Sequence, residues 1–126
     1  MQEYIRSNDD PKIAIVGLGY VGLPLALEFS KHFKVVGFDL NKKRVKSLNE
    51  NFDNTQEVDF EELKKSKLKT TSDLNQISNS DIYIITVPTP VDKHKKPDMS
   101  FLEKASVDIG KHLNKGNIVI YESTVY

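Results

Sequence analysis

The sequence predicts a doubly wound α/β fold: one parallel sheet, strand order 3-2-1-4-5, with helices on both faces in three αβα layers. Three observations lead there. Short apolar runs alternate with helical segments along the 126 residues, and that alternation demands parallel strands joined by right-handed crossovers. The runs are too short and too apolar to be half-exposed strands, so each must be covered on both faces. Finally, a glycine-rich turn, an acid, a Pro-Thr-Pro loop and a Ser-Thr pair each follow the carboxyl end of such a run. That is the edge where open α/β sheets bind ligands, beside the switch between strands one and four.

The elements follow in order. Ile13-Ala14-Ile15-Val16 is the first strand, and Gly17-Leu18-Gly19-Tyr20-Val21-Gly22 is a G-x-G-x-x-G turn. A helix is expected from about Tyr20 to Lys31, with Pro24 in its first turn, where a missing N–H costs nothing. Lys31 and His32 sit at its carboxyl end, the favourable end for cations. Val35 to Phe38 is the second strand and ends on Asp39. Asn41 is placed to cap a helix whose apolar face is Val45, Leu48 and Phe52. A short helix is expected over Val58–Lys65, a weak strand over Leu68–Thr71 and a turn of helix over Asp73–Ser78. The stretch from Asn51 to Ser66 is the least regular of the chain. Asp81–Val87 reads as a buried strand stopped by Pro88-Thr89-Pro90, which can continue neither helix nor ladder. Ser100-Phe101-Leu102-Glu103 has the form of a capping box, with Leu102, Ala105, Ile109 and Leu113 as the helix stripe and Gly116 as its stop. Ile118–Tyr121 is the last strand, running into Glu122-Ser123-Thr124.

The first strand, turn, helix and second strand together suit a dinucleotide. Gly17 permits the sharp exit from the strand, Gly19 offers no side chain to keep a pyrophosphate off the backbone, and Gly22 lets the helix approach the sheet. The helix start then presents unpaired N–H groups and a positive dipole end to the phosphates. Asp39 follows Gly19 by 20 positions, where an acid at the tip of the second strand accepts both ribose hydroxyls. A 2′-phosphate there would meet like charge, so NAD is favoured over NADP. Lys42, Lys43 and Arg44 follow closely and would soften that preference. For at least two of the three, a solvated first helical turn is the plainer reading. Tyr20 and Tyr83 read as packing residues; Tyr20, inside the turn, is also placed to shield a cofactor.

Composition narrows the remaining classes. One domain is the default for this length, which buries roughly two-thirds of the unfolded surface. Residues 1–10 read as a loosely held leader and 11–126 as the domain. The 18 basic and 18 acidic residues balance, so no global field draws nucleic acid or an anionic membrane. With no cysteine, the chain has no disulfide, Cys-zinc site or thiol nucleophile. Ile13–Leu27 carries no charge, yet glycines and a proline interrupt it and it is short for a membrane span. The leader mixes acids with bases, unlike a signal peptide. A soluble cytoplasmic domain is expected. Lys93-His94-Lys95-Lys96 reads as a solvated loop, and the histidines lack metal-ligand spacing, so no metal is assigned.

The segment Ile15-Val16-Gly17-Leu18-Gly19-Tyr20-Val21-Gly22-Leu23-Pro24-Leu25-Ala26 resembles the opening of the UDP-glucose/GDP-mannose dehydrogenase family, a Rossmann-like fold. Val87-Pro88-Thr89-Pro90 and Glu122-Ser123-Thr124-Val125-Tyr126 resemble its second and third cofactor-edge motifs. The wording is most similar to the bacterial branch acting on UDP-N-acetylhexosamines, UDP-GlcNAc and UDP-GalNAc, for capsule, Vi-antigen and O-antigen polysaccharides. The resemblance implies oxidation of a sugar C6 alcohol to a carboxylate with two NAD through a cysteine-bound intermediate. It implies that Gly17, Leu18, Gly19, Tyr20, Val21 and Gly22 hold the pyrophosphate, with Asp39 and Arg44 at the adenosine ribose. Val87, Pro88, Thr89, Ser123 and Thr124 would line the cofactor edge, with Thr124 positioning the catalytic water. Family members run to several hundred residues. The nucleophile, the UDP-sugar site and the dimer helix would then lie outside this chain, which alone is expected to be inactive while its parent is a homodimer. Two other readings stay open: a stand-alone NAD-sensing module, and a UDP-glucose or β-hydroxyacid-type dehydrogenase domain.

Overall fold

The computed structural model describes residues 10–91 and 93–122. Its five strands are β1 (Lys12–Val16), β2 (Lys34–Phe38), β3 (Lys69–Thr71), β4 (Ile82–Ile85) and β5 (Ile118–Tyr121). They form one sheet in the order β3-β2-β1-β4-β5, and every pairing is parallel. The expected topology is therefore the observed one. Helices α1 (Gly22–Ser30), α2 (Lys42–Asn49), α3 (Phe60–Lys65) and α4 (Ser100–Gly110) supply the crossovers, with a 3-10 turn at Leu74–Gln76.

Alternate residues of the central strands enter two separate cores. Ile13, Ile15, Val35 and Ile84 pack with Leu23, Ala26 and Leu27 of α1, Leu48 of α2 and Leu63 of α3. Ala14, Val16, Phe38, Tyr83 and Ile85 pack with Ile77 and with Ala105 and Ile109 of α4. This is the period-two alternation of a strand with both faces covered. Pro24 falls in the first turn of α1 as expected, and the Asn41 side chain caps α2 by accepting the Arg44 N–H at 3.1 Å.

Several details differ from the sequence reading. Helix α1 begins at Gly22 rather than Tyr20, because the turn residues ahead of it stay outside the helix. Tyr20 is 67% exposed and is no packing residue, whereas Tyr83 is fully buried. Phe52 is exposed; α2 ends at Asn49, and the backbone turns through a left-handed residue at Asn51 (φ 65°) before the helical face reaches it. Helix α3 starts only at Phe60, where Asp59 caps it through the Glu62 N–H at 2.9 Å. The Ser100 capping box does not form. Asp98 accepts the Ser100 N–H at 2.9 Å, so Ser100 is already helical and Met99 occupies the cap position without a side-chain bond. Helix α4 stops at Gly110, and Gly116 instead serves the turn into β5 with φ +92°. Leu113 is left outside the helix and exposed.

Candidate functional site

The glycine turn leaves β1 at the carboxyl edge of the sheet, and its glycines are set by geometry. Gly17 has φ +107°, and a Cβ there would stand 2.9 Å from the Val87 backbone N. At Gly22 a Cβ would stand 1.7 Å from the Gly17 carbonyl O and 2.5 Å from the Thr86 hydroxyl. Only a bare Cα lets α1 close so tightly on the turn. Gly19 differs: nothing of the protein lies within 4 Å of a Cβ built there, so its face is open to a ligand. Val21, the cap residue of α1, makes no side-chain cap bond. Within the first turn the Leu23 N–H donates to the Gly19 carbonyl at 3.1 Å and Pro24 has no N–H, so the start of the helix at Gly22 is the part turned toward whatever approaches the turn.

Leu18, between the first two glycines, is fixed from both sides. Its N–H donates to Asp39 Oδ2 at 2.8 Å. Its carbonyl accepts from Arg44 Nε at 2.8 Å. Its side chain is fully buried, pressed over Gly37 of β2. Asp39 also accepts the Asn41 N–H through Oδ1 at 2.9 Å, and its own N–H donates to the Thr71 carbonyl at 3.1 Å. The carboxylate is thereby held at the tip of β2, beside the turn.

A cavity of about 280 Å³ opens between these parts. The glycine turn (Gly17, Leu18, Gly19), Asp39, Leu40 and Asn41 line one side, Pro88 another, and Phe101, Lys104, Ala105 and Asp108 of α4 a third. On the other flank of the turn, a recess of about 450 Å³ is lined by Gly19, Tyr20, Val21, Val87, Pro88, Thr89, Pro90 and Glu122. The turn thus separates two apolar recesses, as a pyrophosphate bridge between two nucleoside halves requires. The structure brings together Gly17, Leu18, Gly19, Tyr20, Val21, Gly22, Asp39, Val87, Pro88 and Thr89 at one edge. Ser123 and Thr124 lie outside the described residues.

Arg44 stands behind the turn. It is buried, its Nη1 donating to Asp53 Oδ1 and to Asn54 Oδ1, both at 2.6 Å. Lys42 and Lys43 are exposed, so two of the three basic residues are the solvated helix start expected of them. Two participants were missed by sequence reasoning. Thr86, buried at the end of β4, donates to the Gly17 carbonyl at 2.6 Å and ties the turn to the central strand. Its signal was a lone hydroxyl closing an apolar run. Asp53 gave no signal, because its role depends on a loop that no periodicity describes.

These residues fit a dinucleotide: an open glycine face, an uncapped helix start, and a carboxylate between the turn and a cavity. The chain's residues 11–126 match the model of the UDP-glucose/GDP-mannose dehydrogenase family, NAD binding domain. The chain belongs to this family. Its cofactor is NAD, and the match covers the whole site. The chain is 57% identical over 118 residues to a UDP-N-acetyl-D-glucosamine 6-dehydrogenase of Pseudomonas aeruginosa, covering 93% of the chain and 28% of that protein. It is 55% identical over 119 residues to the protein of that name in Salmonella typhi, covering 94% and 28%. Among solved structures, the UDP-D-ManNAc dehydrogenase of Pyrococcus horikoshii superposes with a TM-score of 0.80 at 36% identity, covering 90% of the chain and 28% of that structure. The chain therefore spans little more than a quarter of the length of these relatives. Among the described residues no helix is long and apolar enough to cross a membrane, and no cluster of side chains is arranged to hold a metal ion.

Proposed function

We propose that this chain is the NAD-binding portion of a cytoplasmic nucleotide-sugar 6-dehydrogenase. The enzyme would oxidise the C6 alcohol of a UDP-N-acetylhexosamine to the uronic acid for bacterial surface polysaccharide, working as a homodimer. The observation that carries the cofactor half is Leu18, held by Asp39 at its N–H and by Arg44 at its carbonyl, beside an open Gly19. The 57% identity to a UDP-N-acetyl-D-glucosamine 6-dehydrogenase supports the sugar half.

In this reading Gly17 to Gly22 receive the pyrophosphate, and Asp39 accepts the adenosine ribose hydroxyls beside the recess walled by α4. Arg44 serves that end of the site, and Val87, Pro88 and Thr89 border the nicotinamide end with Ser123 and Thr124. Bound NAD supplies the hydride acceptor. The protein's part here is to orient it, to keep Asp39 ready for the ribose, and to shield the recess with Tyr20.

The division of labour is testable on this chain. It has no cysteine, so it offers no thiol to capture an aldehyde. NADH fluorescence should change saturably on mixing with the chain. NAD and UDP-N-acetylglucosamine together should yield no NADH. Sustained NADH production by the chain alone would overturn this assignment.

A further inference from the structure

The loop after α2 is irregular, yet among the described residues it holds the most heavily bonded side chain. Asp53 is 5% exposed. Its Oδ1 accepts from the Thr55 N–H at 2.9 Å, the Thr55 hydroxyl at 2.6 Å and Arg44 Nη1 at 2.6 Å. Its Oδ2 accepts from the N–H groups of Glu57 and Val58 at 2.9 and 3.0 Å. The loop is thus wound about one carboxylate, and the carboxylate is paired with a guanidinium that is itself buried.

That guanidinium links the carboxylate to the glycine turn. Arg44 is planar and forked: while Nη1 meets Asp53 and Asn54, Nε is presented to the Leu18 carbonyl at 2.8 Å. A buried guanidinium needs a carboxylate partner to stay in place. Its fixed fork then sets the direction of every N–H it carries. We propose that Asp53 is a positioning residue for the dinucleotide turn. It holds the Arg44 fork so that Nε fixes the Leu18 carbonyl, which keeps the Leu18-Gly19 peptide and the amides that follow aimed at the pyrophosphate.

The proposal rests on the NAD-binding reading and deepens it. It moves the origin of turn geometry from the motif to a loop of no recognisable pattern. It also separates two functions of Asp53: winding its own loop through Thr55, Glu57 and Val58, and orienting Arg44. Only the second reaches the cofactor.

A double-mutant cycle separates them, using Asp53→Asn, Arg44→Gln and the pair, with folding checked by circular dichroism. Each single variant should raise the NAD Kd about tenfold, a change worth about 1.4 kcal/mol. If Asp53 acts through Arg44, the double variant binds no more weakly than Arg44→Gln alone. The Leu18, Gly19 and Tyr20 amide resonances should shift in each variant without NAD. Additive losses, or wild-type affinity in a folded Asp53→Asn, would overturn the proposal. If Asp53→Asn does not fold, Arg44→Lys takes its place. It keeps a cation for Asp53 but loses the fork, so unchanged binding and unchanged amides there would also overturn it. Should the wild-type chain bind no NAD, the parent reading fails. The amide shifts then still decide the clamp: shifted resonances support it and unshifted ones refute it.

Discussion

Two glycines of one motif do different work at the residue scale, and substitution separates them. A methyl at Gly22 would collide with the Gly17 carbonyl at 1.7 Å, a backbone atom with nowhere to go. Gly22→Ala should therefore lose at least about 1–3 kcal/mol of stability, read as a lower urea midpoint. Gly19 has nothing of the protein within 4 Å of a Cβ, so Gly19→Ala should unfold at the wild-type midpoint. Its methyl instead occupies the ligand's face, and NAD affinity should fall. Equal stability of the two variants would contradict this assignment. The motif spelled out both glycines but not their difference, which depends on how near Thr86 and the Gly17 carbonyl come. Leu18 shows the same limit. In the sequence it is a spacer between glycines, whereas in the fold its N–H, carbonyl and side chain are each held by a different neighbour.

At the scale of elements, the regular parts followed from pattern and the irregular ones did not. The burial of Val45 and Leu48 and the Asn41 cap were legible because spacing and side-chain chemistry are local. The Ser100 box failed because Asp98, two residues earlier, competes for the same N–H, an Asx-type contact that propensity does not rank. The 51–58 loop was illegible because its order comes from one carboxylate. Burial alone pushes the Asp53 carboxyl pKa up. Bonds from the Thr55 hydroxyl, the Arg44 guanidinium and the Thr55 and Val58 N–H groups more than offset that, leaving it lowered from 3.8 to about 2. A carboxyl whose folded pKa is depressed stabilises the fold fully above its unfolded pKa and loses that contribution as pH falls through the folded one. Wild-type stability should thus fall toward that of Asp53→Asn between about pH 4 and pH 2, measured by urea unfolding across that window. A constant gap between the two proteins would refute the ionised pairing.

The whole molecule reads as a sheet that gathers its irregular segments on one edge. Alternation of strands and helices was enough to give the order β3-β2-β1-β4-β5, since handedness and double coverage leave few other arrangements. Convergence of the glycine turn, Asp39 and the Pro88 loop follows from that order alone. The two recesses flanking the turn do not, because their walls come from α4 and from Glu122, far along the chain. What the order makes possible is a shared cofactor edge. In the proposed reading, cofactor choice is set by the negative charge of Asp39, fixed at the tip of β2.

The most direct test of that claim is calorimetric titration of the chain with NAD and with NADP, beside Asp39→Ala. Saturable binding that favours NAD, and loses that preference along with most of its affinity in the variant, is the expected result. Equal affinity for both cofactors, or NAD binding unaltered by Asp39→Ala, would contradict the account.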